Sequence, residues 1–448
     1  MPSSEMKFDP HLPQLPSISE LLEHPRVKGV VARINRSTIA QRATGFLEEL
    51  RWSLAERTGK VEVPSVAQLA ERLARRLLGE PPAGGPVINA TGVVVGDAEL
   101  RPPLADAALH AMVQVAGEYH DQGRRLQQSA EAELCHLTGA EAASAVNSFE
   151  AALHIVLGSL AANREVLLLG AETGVPAHWR KLAARHGVIL HTSDGDLSRL
   201  SSEFGGRELA AVVRAATAET TAPTHEVAAA VGRRNLPLID VHPVAGLLNP
   251  ADYGMQPVET LRQRIEGGAD IVVAEAAGLL GGPSCGLIIG RRSLVETAAR
   301  HFLASISSIS AATAAALHAT LSIYRDAENV EAAFTIPVWQ LLSAPLANLQ
   351  QRAERLSSLL AATGHVAAAE PVETERPWLA AGDLRLSSPT WGIDIRPKGS
   401  DSAMLGHLLR CERPIVAKSD NGVVHLDLRS VFPRWDQQLV AAVEGLTT

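Results

Sequence analysis

Two short segments and one residue type could carry chemistry in this chain, and their spacing limits what each can do. Cys285 lies in Leu279-Leu280-Gly281-Gly282-Pro283-Ser284-Cys285-Gly286. A thiolate nucleophile needs a neighbouring base or a helix N-terminus to lower its pKa. Neither is evident here, so Cys285 reads as a small buried group at a strand start. Asp240-Val241-His242 places a carboxylate and an imidazole at i and i+2, on one face of a strand, but no third metal ligand accompanies them. Lysine is the more informative residue. Only Lys7, Lys28, Lys60, Lys181, Lys398 and Lys418 occur, with none from 182 to 397. A mechanism that needs a Schiff-base amine in the middle of the chain therefore has no residue to supply it. G-x-S-x-G, P-loop and H-E-x-x-H motifs are absent. Gly92-Val93-Val94-Val95-Gly96 has the wrong glycine spacing for a dinucleotide loop.

The elements that position these residues change character along the chain. Ser17-Ile18-Ser19-Glu20 has capping-box spacing, and apolar residues recur at helical spacing as far as Ile34. Further helices fit 39–54 and 66–78. Gly79-Glu80-Pro81-Pro82-Ala83-Gly84-Gly85-Pro86 then breaks the pattern as a linker. Beyond it, short apolar runs alternate with amphipathic helices. Strands are expected at 166–169, 188–191, 209–213, 236–240, 271–274 and 286–289, and helices at 104–115, 130–137 and 151–161. Unbroken apolar strands alternating with helices indicate α/β layering around a mainly parallel sheet. Long helices are expected over 293–324 and 336–360. The tail turns to α+β, with strands at 384–395, 415–418 and 423–428 and helices at 403–410 and 435–446. The expected organisation is a helical domain over 1–80, a linker over 81–86, an α/β large domain over 87–325 and a small α+β domain over 326–448.

Composition narrows the class. With 448 residues, 46% hydrophobic and 20% charged, the chain can bury a large core. The three cysteines, Cys135, Cys285 and Cys411, are far apart and suit a reducing cytoplasm rather than a disulfide framework. No long uncharged apolar run suggests a membrane span, and the opening residues lack a basic segment followed by an apolar one. The net charge of −8 gives a polyanion partner no support overall. The first eighty residues are mildly basic, with twelve Lys and Arg against ten Asp and Glu.

Five segments in order resemble bacterial selenocysteine synthase, the L-seryl-tRNA(Sec) selenium transferase family. They are Leu15-Pro16-Ser17-Ile18-Ser19-Glu20-Leu21-Leu22, Val87-Ile88-Asn89-Ala90-Thr91-Gly92-Val93-Val94, Leu137-Thr138-Gly139-Ala140-Glu141, Leu279-Leu280-Gly281-Gly282-Pro283, and Leu426-Asp427-Leu428-Arg429-Ser430-Val431-Phe432-Pro433. The resemblance implies a fold-type-I α/β large domain of the pyridoxal-phosphate (PLP) transferase kind, with a helical N-terminal domain and a small α+β C-terminal domain. It also implies a homodimer or larger ring, and tRNA contact through the N-terminal domain.

The departures from the family pattern fall at the expected chemistry. Where the family has S-G-D-K-L-L-G-G-P, this chain has Glu275-Ala276-Ala277-Gly278-Leu279-Leu280-Gly281-Gly282-Pro283, so Gly278 takes the cofactor-lysine position. The phosphate loop V-V-N-N-N-A-A-A becomes Ala145-Val146-Asn147-Ser148-Phe149-Glu150-Ala151-Ala152, which keeps Asn147 but puts an anion, Glu150, near the helix start. Arg101 persists from the segment that the resemblance assigns to substrate. Arg214 and the stretch Ser308-Ile309-Ser310-Ala311 replace polar and basic family residues. Asp240 stands where the family pairs an Asp with the pyridine nitrogen. The expected site residues are therefore Asp240 and Asn147 for a cofactor and Arg101 for substrate, with no catalytic residue assigned. The expected function is a selenocysteine-synthase-like, catalytically degenerate binding or assembly protein without covalent PLP. The alternatives are a transferase holding PLP or pyridoxamine phosphate non-covalently, and a tRNA-binding module.

Overall fold

In a computed structural model of the protein, the residues described are 16–25, 27–28, 39, 43–48, 50, 65–78, 85–96, 101–120, 124–169, 177–193, 208–215, 222–233, 235–327, 329–382 and 384–446. The chain divides into two compact units, 1–86 and 87–448. In the first unit, Ser17 caps the helix Ile18–Glu23 by accepting from the Glu20 N–H at 3.1 Å. This helix ends where Pro25 drives His24 to extended backbone (ψ 135°); helix resumes at Pro25, Val27 and Lys28, and the rest of the expected stretch to Ile34 lies outside the described residues. The helix Val66–Leu78 opens on a reciprocal cap between Ser65 and Gln68. Leu69, Ala70 and Leu73 from it pack with Leu21, Val27, Ile39, Ala43 and Leu47 in a small core of their own. The rest of the expected helix over 39–54 lies outside the described residues.

The second unit contains fourteen strands among its described residues: β1 Ile88–Asn89, β2 Val95–Gly96, β3 Ala142–Val146, β4 Glu165–Leu169, β5 Ile189–Ser193, β6 Leu209–Ala215, β7 Leu238–His242, β8 Ile271–Glu275, β9 Gly286–Gly290, β10 Val366–Ala381, β11 Leu384–Pro397, β12 Ile415–Val416, β13 Lys418–Asp420 and β14 Val423–Asp427. Seven form the central sheet in the order β3-β9-β8-β7-β6-β4-β5. Its β4 to β8 run parallel, and β9 runs antiparallel to both neighbours. Every residue of β6, β7 and β9 is buried, as expected for strands covered on both faces. Ile239, Val241, Val213 and Val273 join the core beneath helix Phe149–Leu160. Residues of the opposite face, such as Val272 and Ala274, pack with Leu134, Leu261 and Leu317.

A five-stranded sheet, β13-β14-β11-β10-β2, forms the C-terminal layer. Its centre is the long β10–β11 hairpin, paired from Val366 with Pro397 to Ala381 with Leu384. Helices Leu346–Ala361, Asp401–Arg410 and Asp436–Glu444 bury Leu356, Leu408 and Leu439 with Ile393, Ile395 and Leu426 of the sheet. The segment after the linker crosses to this layer: β1 pairs with β12, and β2 pairs with β10. Two expected long helices are divided. The first becomes Arg292–Ala299, Phe302–Ile306 and Ala311–Asp326. The second becomes Pro337–Leu342 and Leu346–Ala361, because Pro345 cannot donate in a helix interior. Among the described residues no helix is long and apolar enough to cross a membrane.

Candidate functional site

The parallel strands bring three of the expected positions toward one end of the central sheet: Asp240 on β7, Gly278 in the turn after β8, and Asn147 in the loop after β3. Alternation along β7 sends Ile239 and Val241 into one core and leaves Asp240 and His242 on the other face. Asp240 is fully buried, and its Oδ2 accepts from Arg264 Nη1 at 2.7 Å, Arg214 Nη1 at 3.0 Å and Thr224 Oγ1 at 3.3 Å. Register supplies the first arginine, since Arg214 on β6 sits opposite Asp240. The second comes from helix Leu261–Glu266, fixed by a capping box between Thr260 and Gln263.

Glu259 closes the network. Its Oε2 accepts from both Arg214 Nη atoms at 3.2 Å and from Thr224 Oγ1 at 2.8 Å, and its Oε1 accepts the Thr224 N–H at 3.0 Å. Burial would raise the Glu259 carboxyl, but the Thr224 donors and the guanidiniums of Arg264 and Arg214 outweigh it and hold it below its usual value. Two guanidiniums thus face two carboxylates, a pairing that makes burial of the charges tolerable. His242 is buried beside them. Burial, then the charges of Arg264 and Arg214, push its imidazole well below the ordinary range. Asp240 Oδ1, Arg214 Nε and His242 Nδ1 are sealed from solvent and have no hydrogen-bond partner among the described residues.

At Gly278 the backbone of one loop lies against another. A Cβ there would fall 2.7 Å from Val244 Cα, 3.1 Å from its carbonyl carbon and 3.2 Å from its oxygen. The contact is held by Leu279 N–H donating to Val244 O at 3.2 Å, while Gly282 N–H donating to Ala276 O at 2.8 Å closes the Gly278 turn on itself. Val244 and Leu279 are buried in one cluster with Trp339 and Trp378.

The loop after β3 is capped by the protein's own groups. Asn147 is exposed, and its N–H donates to Ser307 O at 2.8 Å. Ser148 is the N-cap of helix Phe149–Leu160 and accepts from Ala151 N–H at 3.1 Å, while Glu150 lies exposed in the first turn. Arg101 is also engaged: its Nη1 donates to Glu275 Oε1 at 2.8 Å and Ser284 Oγ at 2.6 Å. Next to Ser284, Cys285 is fully buried; burial, with Glu275 adding, raises its thiol pKa. That is the environment of a packing residue, not a nucleophile. Among the described residues no group of three or more His, Cys, Asp or Glu side chains could hold a metal ion.

Sequence reasoning locates Asp240 but misses Arg264, Glu259 and Thr224, its network partners. One signal was available: Arg214 interrupts an otherwise apolar strand, and a charge inside a doubly covered sheet requires an opposite charge. Arg264, on an ordinary amphipathic helix, gives no such signal.

A mainly parallel seven-stranded sheet, helices on both faces and a separate α+β layer define the fold-type-I α/β class of PLP-dependent enzymes. The solved structure of D-glucosaminate-6-phosphate ammonia-lyase shares this fold at a TM-score of 0.58 and 17% identity, covering 86% of this chain and 98% of the other. Within that class, the chain belongs to the L-seryl-tRNA selenium transferase family, whose pattern matches residues 87–172 and 217–432. It is 30% identical to the L-seryl-tRNA(Sec) selenium transferase of Moorella thermoacetica, over 97% of each chain. It is 29% identical to that of Methylocella silvestris, over 93% of this chain and 94% of the other.

A covalently held PLP needs an amine in the site. No amine stands at Gly278, and no lysine lies between Lys181 and Lys398. Asp240, the expected partner of a pyridinium, gives Oδ2 to two guanidiniums and leaves Oδ1 without a partner among the described residues.

Proposed function

We propose that this member of the selenium transferase family is catalytically degenerate and acts as a binding or assembly protein on an enzyme scaffold. The observation that carries the reading is Gly278, whose missing side chain is required by the close approach of the Val244 backbone. A lysine there would lack both space and the neighbouring groups that PLP chemistry uses. The Arg101–Glu275 pair supports the same reading, since an anionic substrate would have to displace an internal carboxylate 2.8 Å away. Fold alone does not carry function, and the relatives' transferase names belong to chains we do not equate with this one.

The reading extends to organisation and partners. It takes the helical region 1–80 as a separate domain able to contact tRNA, followed by a linker over 81–86, a large domain over 87–325 and a small domain over 326–448. It takes a homodimer as the minimal assembly and the cytoplasm as the site of action.

The test is an absorbance scan of the purified full chain with added PLP, followed by borohydride reduction and intact mass. The expected result is no aldimine band and no stoichiometric adduct. A stoichiometric adduct mapped to Lys181 or Lys398 would overturn the reading. Saturable PLP absorbance without an adduct would instead support the alternative of non-covalent cofactor binding. A salt-dependent shift of tRNA would identify a surviving RNA grip.

A further inference from the structure

Three histidines from separate helices meet away from the site described above. His154 projects from helix Phe149–Leu160, His186 ends helix Ala177–His186, and His301 caps helix Phe302–Ile306. His154 Nδ1 and His186 Nε2 are 2.9 Å apart, so one ring donates to the other. The His186 and His301 rings lie edge to face with centroids 6.2 Å apart. Gly158, one turn after His154, makes room for both: a Cβ there would fall 2.8 Å from His186 Cε1, 2.9 Å from its Nδ1 and 2.9 Å from His301 Nε2. His301 Nδ1 accepts from Leu303 N–H at 3.4 Å, capping its helix.

The His154–His186 contact depends on an unprotonated nitrogen. Two imidazoliums would put two N–H groups face to face at the His154–His186 contact. The surrounding charges are mixed. Arg185, beside His186 in sequence, disfavours further positive charge on His154, and Glu150 favours it. Helix Arg292–Ala299, which packs on the same helix, bears Glu296, paired with Arg300 at 4.0 Å. Burial comes first in lowering both His154 and His186, with Arg185 adding at His154, and His154 and His301 adding at His186.

Helix Phe302–Ile306 links this cluster to the loop after β3. Leu303 and Ala304 rest on the core, while Phe302 and Ile306 are 68% and 71% exposed, so few apolar contacts anchor the helix. Immediately after it, Ser307 O accepts from Asn147 N–H, and Ser308 bridges to Val146.

We propose that His154, His186 and His301 form a proton-sensitive joint that holds helix Phe302–Ile306 and, through Ser307 and Ser308, the loop at the start of helix Phe149–Leu160. Proton uptake by His154 and His186 on acidification separates their rings and disturbs the packing of His186 on His301, which frees the 301–308 segment, and the loop at 147–149 loosens with it. The joint works without any ligand in the site and is independent of whether the protein binds PLP.

Hydrogen exchange of the full chain, read by mass spectrometry at pH 7.5 and 5.5 and corrected for intrinsic rates, tests this. Peptides spanning 301–308 and 147–149 should open more at pH 5.5, while peptides of β8 should not. An opening that returns one histidine to its ordinary value near 6.5 can gain at most about tenfold at pH 5.5, so a rise of about threefold to tenfold is expected. His186→Gln should abolish the pH step in these peptides. Should that variant open the segment at both pH values, His154→Gln, which keeps the His186–His301 contact, must reduce the step. No step in the wild type, an equal step in β8, or an unreduced step in both variants would overturn the proposal.

Discussion

Gly278→Ala is the smallest change that probes the contact between the two loops. The added methyl would arrive 2.7 Å from Val244 Cα and 3.1 Å from its carbonyl carbon, both backbone atoms that cannot rotate away as a side chain can. The opposing face is equally tight, since a Cβ on Gly246 would fall 2.7 Å from the Leu279 carbonyl carbon. Relief therefore requires one loop to shift, at the expense of the Leu279–Val244 hydrogen bond. Overpacking of this kind costs about 1–3 kcal/mol. At about 2–4 °C per kcal/mol for a domain of this size, the melting temperature should fall by about 2–12 °C. Gly278→Lys adds a long polar chain to the same clash and should fall further, without gaining an aldimine band when PLP is added. Thermal unfolding followed by far-ultraviolet circular dichroism, with absorbance on the same samples, reads both outcomes. An unchanged melting temperature in Gly278→Ala would mean that the loops do not meet as described. A Gly278→Lys protein that took up PLP stoichiometrically and transferred selenium to seryl-tRNA would refute the degenerate site itself.

Three other outcomes are expected. Arg264→Leu removes one of the guanidiniums on Asp240 and should cost about 3–5 kcal/mol; a loss below about 1 kcal/mol in the thermal melt would show that the network is not buried as a unit. The depressed imidazoles of His242, His154 and His186 leave stability intact above the unfolded pKa of about 6.5 and remove it as pH falls below that value. The melting temperature should accordingly be level above about pH 7 and decline below about pH 6.5, and a rise on acidification would contradict the burial of these rings. Light scattering at micromolar concentration should give at least twice 47.4 kDa, whereas a stable monomer would remove the proposed dimer.

The inner strands of the central sheet, β4 and β6 to β9, were legible because they are covered on both faces and so read as nearly unbroken apolar runs; the edge strand β3, Ala142–Val146, is less buried and was not assigned. The strand β10 was not assigned in sequence. Its Glu370-Pro371-Val372-Glu373-Thr374-Glu375-Arg376-Pro377 has two prolines and four charges, and most of it is only partly covered. It holds by cross-strand pairing with β11, which local composition does not report. The division of the expected helix over 336–360 had a visible cause in Pro345, but apolar spacing continues across it and hides the break. At the site, Asp240 and Gly278 could be located by resemblance. The pairing of Asp240 with Arg264, 24 residues away, depends on how a helix packs against a strand. The obstruction at Gly278 likewise depends on a neighbouring loop that no local pattern encodes.

The crossing of the segment after the linker into the C-terminal layer bears on how the chain is made. Gly92 N–H donates to Ser430 Oγ, and Ser430 Oγ to Asn89 O, across separations of 338 and 341 residues. At roughly 5–20 residues per second, about 20–70 s of synthesis separates these partners. For most of that interval Ile88, Ala90, Val94 and Val95, all destined for burial, wait for their partners: β2 for Leu379 and Ala380 of β10, and β1 for Ile415 and Val416 of β12. The central sheet, complete once Gly290 has emerged, can form meanwhile from its own strands. A nascent chain stalled before residue 366, where β10 begins, should therefore carry a folded central sheet with β1 and β2 still unpaired and open to chaperones or proteases.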